Sequence, residues 1–271
     1  MKFNPVWRIA LLPVFLALSG RRILADEKII PAPVEGISSS EKYIRIPTNL
    51  QAAAQVDLLS AFVSRGQVNN DRPVVQPEVE LTKYNIYLNA WGNLELTDRT
   101  TGHRDFTEVD LTAGYRLPVR QLDIRAGIID YLYPNQASPE TREVFCVFEY
   151  PHPVLSAHLE IFYDFDKADG FYTSIAFDHP FTLADGLRLT PGIYSAWGSA
   201  SFNDYYYRID KSALNDGNVY AILEYQIMDK LTVNLSATYS WLWDASIRDG
   251  ASVKYRDTKQ LIIGAAAVYL L

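Results

Sequence analysis

The fold is decided by the stretch Asn218–Trp243, which reads NVYAILEYQIMDKLTVNLSATYSWLW. Polar and apolar side chains alternate up to a tight break at residues 228–230. After that break the alternation resumes, with small polar side chains at every second position. Because successive side chains of a strand point to opposite faces, the pattern predicts two β-strands joined by a short hairpin turn.

The length and the aromatic end of this hairpin point to a membrane. Each predicted strand has about ten residues, which is what a tilted strand needs to cross a bilayer. The apolar face of the second strand ends in Tyr239, Trp241 and Trp243. Such a cluster is typical of the aromatic girdle at a membrane interface. The hairpin is therefore predicted to be one unit of a closed β-barrel that spans an outer membrane.

Similar alternating segments recur along the rest of the chain. They lie at residues 53–64, 76–81, 86–97, 106–117, 121–133, 142–150, 155–166, 171–179, 187–198 and 260–271. Together with the first hairpin they give about twelve strands, an even number like that of bacterial barrels. The predicted fold class is all-β, a transmembrane antiparallel up-and-down barrel of about 12 strands.

The predicted connections alternate in length. Long polar connections are expected at residues 65–73, 98–104, 134–140, 199–217 and 244–259, with short turns between them. The connection at 167–170 departs from this alternation, because it is short where a long connection is expected. Short periplasmic turns and long external loops are the usual asymmetry of such barrels, which places both termini in the periplasm.

A soluble sandwich or propeller is the alternative for an alternating sequence. Its apolar face would turn inward, so periodicity alone does not separate the two architectures. The strand length, the aromatic cluster, the loop asymmetry and the amino-terminal segment together favour the membrane barrel.

The first 25 residues have the pattern of a secretory signal. The basic residues Lys2 and Arg8 precede an apolar core at residues 9–18. Leu24-Ala25 fits a cleavage site. An uncleaved membrane anchor is the alternative. The expected organisation is a signal peptide at 1–25, a periplasmic segment or small plug at 26–50, and the barrel at 51–271.

Composition excludes several classes of function. Removal of residues 1–25 takes away four basic residues and no acidic one, which changes the net charge from −7 to −11. So acidic a protein is a poor nucleic-acid binder. The single cysteine, Cys146, excludes an internal disulfide, and the 4 His are too scattered for a zinc site. No cofactor is expected.

Acidic residues dominate the polar faces of the predicted strands. If these faces point inward, the lumen carries Glu78, Glu80, Glu95, Glu108, Asp110, Asp123, Glu160, Asp164, Asp178 and Glu224, with Glu143 and Glu149. The basic residues on the same faces are Arg116, Arg125 and Arg188, with His158. Rings of carboxylates favour cations in a pore. The alternative is that the acids pair with the arginines and fill a narrow barrel, since twelve strands lie between the packed eight and the open sixteen.

Ser156, His158 and Glu160 share one strand face. Outer-membrane phospholipases also have about twelve strands and use a Ser-His pair, and a nucleophile needs its base within hydrogen-bond reach. However, a lipase site should face lipid, whereas these side chains are predicted to face the lumen. An ordinary polar lumen is the preferred interpretation, and no catalytic residue is predicted.

Two loop motifs have alternative interpretations. The carboxylates of Asp164, Asp166 and Asp169 could gather a calcium ion at an outward turn. The EF-hand glutamate is missing, however, so no metal site is predicted. The run at residues 205–208, Tyr-Tyr-Tyr-Arg, could bind sugars or fold inward and narrow a pore, although packing on the barrel rim is the preferred interpretation.

Several motifs carry a family resemblance. An Arg-Gly pair at 65–66 follows the first strand, and a Trp-Gly pair at 91–92 lies on the third. With residues 64–67, 70–73, 76–77, 88–89, 91–93, 163–166, 169–172 and 213–216, the chain resembles the TorF-type putative porins and their outer-membrane relatives. The resemblance implies a barrel and passive transport. A more distant similarity is to the MltA-interacting scaffold proteins, which are also small barrels.

The sequence therefore predicts a porin-like barrel in the outer membrane that passes small cationic or neutral solutes. Its expected partners are outer-membrane lipid and these solutes. The alternative is a non-conducting scaffold barrel that binds a periplasmic envelope protein.

Overall fold

The structure is a computed structural model that describes residues 49–98, 102 and 104–271. The predicted signal segment, 1–25, and residues 26–48 of the predicted periplasmic segment lie outside the described residues. In chain order the elements are β1 (Gln51–Leu59), β2 (Phe62–Ser64), β3 (Gln67–Asn70), β4 (Val74–Lys83), β5 (Ile86–Glu95), β6 (Phe106–Val119), β7 (Leu122–Leu132), β8 (Thr141–Tyr150), β9 (Ser156–Asp164), β10 (Gly170–Asp178), β11 (Phe181–Ala184), β12 (Leu187–Gly198), α1 (Ala200–Tyr207), β13 (Ala213–Met228), β14 (Leu231–Leu242), α2 (Ala245–Lys254) and β15 (Lys259–Leu270).

Among the described residues, twelve of these strands form one closed antiparallel barrel, which confirms the predicted fold class. Each wall strand pairs with the next wall strand along the chain, and β1 pairs with β15 to close the ring. The pairing of β10 with β12 joins the two halves of the wall. Neither α1 nor α2 is long and apolar enough to cross a membrane, and the described residues contain no other helix that is.

The two ends of the barrel differ. Residues 51 and 270 lie at the same end, which we call the terminus end, since Ala53 pairs with Leu270. The terminus end also carries the tight turns at residues 84–85, 120–121 and 229–230. The opposite end, which we call the loop end, carries β2, β3, α1 and α2. The expected asymmetry of the connections is therefore present.

The barrel wall has its polar side chains inside and its apolar side chains outside, which is the reverse of a soluble protein. On β4 the side chains of Gln76, Glu78 and Glu80 are buried inside, whereas Val79 and Leu81 are exposed outside. The same alternation repeats on the other wall strands, so a broad aliphatic belt faces outward. A soluble sandwich would bury the aliphatic face and expose the acids. This distribution is what a lipid-facing barrel requires and excludes the soluble alternative.

Aromatic side chains border the aliphatic belt at both ends. Near the loop end the exposed aromatic residues are Phe106, Phe165, Phe171, Trp197, Tyr239 and Trp243, and near the terminus end they are Tyr84, Tyr115, Tyr150, Phe181, Tyr225 and Tyr269. The Trp241 ring contacts the rings of Tyr239 and Trp243, with centroids 5.9 Å and 5.0 Å away. Two such girdles separated by aliphatic side chains are expected where a barrel meets the two membrane interfaces.

One predicted connection is wrong. Residues 53–64 were expected to form one strand and 65–73 an external loop, but β1 ends at Leu59 and the hairpin β2–β3 turns into the barrel. Phe62, Val63 and Val68 are buried against Trp91 and Ile262 of the inner wall. These apolar side chains gain more from burial inside the barrel than from a solvated loop, and the barrel interior at the loop end has room for them.

Three other connections also hold more structure than the sequence indicated. The loops predicted at 199–217 and 244–259 contain α1 and α2, and β13 begins at Ala213 rather than at Asn218. The short break expected after the eighth predicted strand contains β11, which pairs with β12. The helices are short and begin at the capping residues Ser199 and Asp244, whose side chains accept hydrogen bonds from the first turn.

A close approach between the two helices gives a testable stability effect. Gly250 in α2 faces the backbone carbonyl of Tyr207, and a methyl group there would collide with it and lie 2.9 Å from the Ile209 side chain. Alanine normally stabilises a helix relative to glycine by about 1 kcal/mol. Here we expect Gly250→Ala to destabilise instead, by about 1–3 kcal/mol because of overpacking. Thermal unfolding should show this, with Ser252→Ala, exposed on the same helix, as the control. A higher melting temperature for Gly250→Ala would contradict the close approach.

Candidate functional site

The ten acidic residues predicted for the lumen all lie on the inner face of the barrel and are buried. Some of them are buried because they lie beneath the loop-end connections. Others are buried because they take part in ion pairs of the wall. Glu95, Glu108, Asp110 and Asp164 are near the loop end, and Glu80, Asp123, Asp178 and Glu224 are near the terminus end. Glu78 and Glu160 lie between the two groups.

The three predicted basic residues form ion pairs at the terminus end. Arg116 pairs with Asp123 at 2.6 Å, Arg125 with Glu149 at 2.9 Å, and Arg188 with Glu224 at 3.1 Å. His158 and Asp178 add a fourth contact at 2.9 Å. In this half of the interior three carboxylates are therefore paired with arginines, which is what the alternative of a paired, filled barrel predicts.

The terminus half of the interior is incompletely filled along β14. The inward side chains of Thr232, Asn234 and Ser236 are partly exposed. Farther along the same face, Thr238 and Ser240 are buried. Along this strand the interior is therefore less tightly filled in the terminus half than near the loop end.

The hairpin β2–β3 closes the loop end. Its tip, Arg65-Gly66, has positive φ at both residues, 49° and 76°, as a tight two-residue hairpin turn requires. A side chain at Gly66 would collide with Leu242 and Asp216, so only glycine fits there. The hairpin thus follows β1, and its tip at Gly66 packs against β13 and β14.

Arg65 anchors the tip to the opposite wall. Its guanidinium donates two parallel hydrogen bonds to Glu143 of β8, at 2.6 Å and 2.5 Å, and a third to the Tyr131 hydroxyl at 3.2 Å. Burial alone would lower the pKa of Arg65, but the Glu143 carboxylate together with the neighbouring Tyr131 and Tyr206 raises it. Arg65 therefore keeps its charge inside the barrel.

Aromatic rings surround the same guanidinium. Its central carbon lies 4.7 Å from the ring centroid of Tyr172, 4.9 Å from Phe162, 5.7 Å from Phe202 and 6.0 Å from Tyr131. All four rings are buried. We call the space bounded by these rings and by Glu143 the Arg65 chamber.

The helices α1 and α2 cover the hairpin. The Tyr207 hydroxyl of α1 donates a hydrogen bond to the Arg65 carbonyl at 2.7 Å. Just after α2, the Arg256 amide donates to the Val68 carbonyl at 3.2 Å, and the Tyr255 hydroxyl donates to the Tyr206 carbonyl at 3.0 Å. The tyrosine run at 205–208 therefore belongs to the cover of the barrel, and Tyr207 points inward.

Lys254 joins the two helices at the outer surface. Its ammonium lies 5.8, 5.7 and 5.3 Å from the ring centroids of Tyr205, Tyr206 and Tyr255. Partial burial lowers the pKa of Lys254. These cation–π contacts help to hold the two helices together as one cover.

The Ser-His alternative is not assembled as a catalytic pair. The Ser156 hydroxyl accepts a hydrogen bond from the His152 backbone amide at 3.4 Å, while His158 contacts Asp178. Glu160 accepts from the Ser174 hydroxyl at 2.8 Å. All three side chains are inside the barrel, away from lipid.

The carboxylates at the turn after β9 have separate hydrogen-bond partners. Asp164 accepts from Thr141 and from the backbone amides of residues 166 and 167, and Asp169 accepts from Tyr163 at 2.6 Å. Asp166 pairs with Lys167. Within the described part of the chain, no three His, Cys, Asp or Glu side chains are grouped so as to hold a metal ion.

The sequence interpretation missed Arg65 as a site residue. A signal was available, because an Arg-Gly pair flanked by Phe62-Val63 and Val68 fits a two-residue hairpin. The long polar stretch around it favoured an external loop instead.

Two family models match different parts of the chain. The model of a bacterial protein of unknown function (Gcw_chp) matches residues 47–168, and that of the MltA-interacting protein MipA matches residues 148–271. Each covers less than half of the chain. The second match agrees with the more distant similarity seen in the sequence, whereas the resemblance to TorF-type porins stays a prediction. No curated protein sequence matches the chain.

Solved structures with the same fold are outer-membrane porins. A KdgM porin in complex with disordered oligogalacturonate has a TM-score of 0.50 at 9% identity, covering 81% of this chain and 98% of that one. The NanC porin has a TM-score of 0.52 at 12% identity, covering 81% of this chain and 100% of its own. At such low identity the likeness concerns the barrel fold alone.

Proposed function

We propose that this protein is an outer-membrane barrel that passes small cationic or neutral solutes and is closed in the conformation described above. In this proposal both termini are periplasmic and the loop end faces outward. The observation that carries it is the origin of the closure: the loop end of a barrel with a polar interior is blocked by connections, namely β2–β3, α1 and α2.

Closure by connections leaves a route to opening. The wall strands are paired all the way around and cannot separate without breaking the barrel. A hairpin held at its tip can move while the wall stays intact, as loops and lids do in other proteins. Once it moves, the acids beneath it, including Glu108, Asp110 and Glu143, would line the opening and favour cations.

Conductance in a planar bilayer tests the proposal. The native protein should show little conductance, whereas replacing residues 62–70 with a short Gly-Ser link should give discrete steps with a cation-biased reversal potential in a salt gradient. Replacing the exposed connection 134–140 in the same way is the control and should leave the barrel closed. A hairpin-shortened barrel that keeps its heat-modifiable mobility on gels but never conducts would overturn the proposal.

A scaffold role is the second candidate, and two observations favour it. The part of the chain matched by the MltA-interacting protein model includes β11. In the described structure, β11 pairs with β12 alone and all four of its residues are exposed at the terminus end. A free strand edge can accept an extended segment of another protein. Binding of purified MltA by the closed, non-conducting barrel, weakened by Leu183→Pro, would favour this role; its absence would remove it.

A further inference from the structure

We propose that the Arg65 chamber is a binding site for small organic cations of the guanidinium class, and that Arg65 is its built-in occupant. The inference rests on the proposed function, because a solute reaches the chamber only when the hairpin has moved. It names the class of solute that the barrel would select.

The carboxylate of the chamber suits a guanidinium. Glu143 receives two parallel N–H bonds from Arg65, which is the forked arrangement that a planar guanidinium makes and a compact ammonium does not. The Tyr131 hydroxyl donates to the same carboxylate at 2.9 Å and so fixes its orientation. The site is therefore shaped before any ligand arrives.

The aromatic walls favour a flat cation. The rings of Tyr172, Phe162 and Phe202 lie within 5.7 Å of the guanidinium carbon and belong to three different elements, β10, β9 and α1. Cation–π attraction is stronger where water is excluded. Tyr172 is itself held in place, since its hydroxyl contacts the Tyr194 hydroxyl and donates to Asp216 at 2.8 Å.

The chamber also has carboxyl groups nearby besides that of Glu143. Asp110 and Glu108 lie within electrostatic reach of both Arg65 and Glu143. Asp110 is fully buried, and within the described structure neither of its carboxylate oxygens has a hydrogen-bond partner. This unpartnered carboxylate is an independent sign that the site accepts further cationic donors. A guanidinium that carries a second amine would donate to Asp110 as well as to Glu143.

Calorimetric titration of Arg65→Ala in detergent tests the site. Methylguanidinium should bind this variant and not the native protein, in which Arg65 fills the chamber. Methylammonium should bind about tenfold more weakly, because it cannot form the paired bonds to Glu143. Agmatine, with its second amine, should bind more tightly than methylguanidinium, and adding Asp110→Asn should remove that advantage.

The control variant is Arg65→Ala with Glu143→Gln, which keeps the shape of the chamber and should lose about tenfold in affinity for methylguanidinium. Equal binding by the two variants, or no binding by a correctly folded Arg65→Ala, would overturn the inference. If Arg65→Ala does not fold, the hairpin-shortened variant takes its place. Binding and conductance are measured separately. A barrel that conducts without binding guanidinium would contradict only this inference. A barrel that binds guanidinium without conducting would contradict the proposed function.

Discussion

Replacing Glu143 with alanine is expected to expel the Arg65 hairpin from the barrel. The substitution removes both carboxylate oxygens that hold the guanidinium. Leaving one member of a buried ion pair without its partner costs about 3–5 kcal/mol. The hairpin can avoid this cost by moving into water, where Arg65 is solvated.

Limited trypsin digestion would detect the movement. Arg65 is buried in the native protein, so cleavage after it should be absent, whereas Glu143→Ala should be cut there rapidly, as mass spectrometry of the fragments would show. Glu149→Ala is the matched control, since Glu149 is another buried glutamate of β8 and pairs with Arg125 at the other end. If Glu143→Ala stays protected, another carboxylate such as Asp110 holds the hairpin and Glu143 is not its anchor.

An arginine in the middle of the aliphatic belt should destabilise the barrel strongly. Leu235 lies near the centre of β14 with its side chain 60% exposed on the outer face. If lipid surrounds this face, Leu235→Arg should cost about 2–4 kcal/mol, since a charge at the midplane loses its hydration.

Urea unfolding in lipid vesicles, followed by tryptophan fluorescence, measures this difference. The control is Val253→Arg on α2, where the side chain is 89% exposed at the loop end and outside the belt. That substitution should change the free energy of unfolding by less than about 0.5 kcal/mol. Similar effects of the two substitutions would show that Leu235 does not face lipid.

The porin-like wall and the closed interior are compatible, because different parts of the chain form them. The wall supplies the architecture of a passage, and the connections decide whether it is open. The acids predicted for the lumen are all inside, but those at the terminus end are near arginines and those at the loop end lie beneath the hairpin. A simple acidic channel, as the strand pattern suggested, is therefore not what this conformation presents.

The sequence by itself determined the wall. Strand position, strand direction and the face of each side chain follow from a two-residue period and from local turns, which a few neighbouring residues encode. The predicted strand at 86–97, for example, is β5 (Ile86–Glu95), and that at 187–198 is β12. The inner location of the acids followed once the outer face was recognised as the one that meets lipid.

Only the tertiary structure decided what lies inside the barrel. Arg65 and Glu143 are 78 residues apart, and the Tyr207 hydroxyl meets the Arg65 carbonyl across 142 residues. No local pattern encodes these contacts, because they depend on which connections fold inward and on which strands a curved wall brings face to face. A polar stretch such as 65–73 has the same periodicity whether it enters water or a polar lumen. The space available inside the closed ring, together with the burial of Phe62, Val63 and Val68, determined that it turns inward.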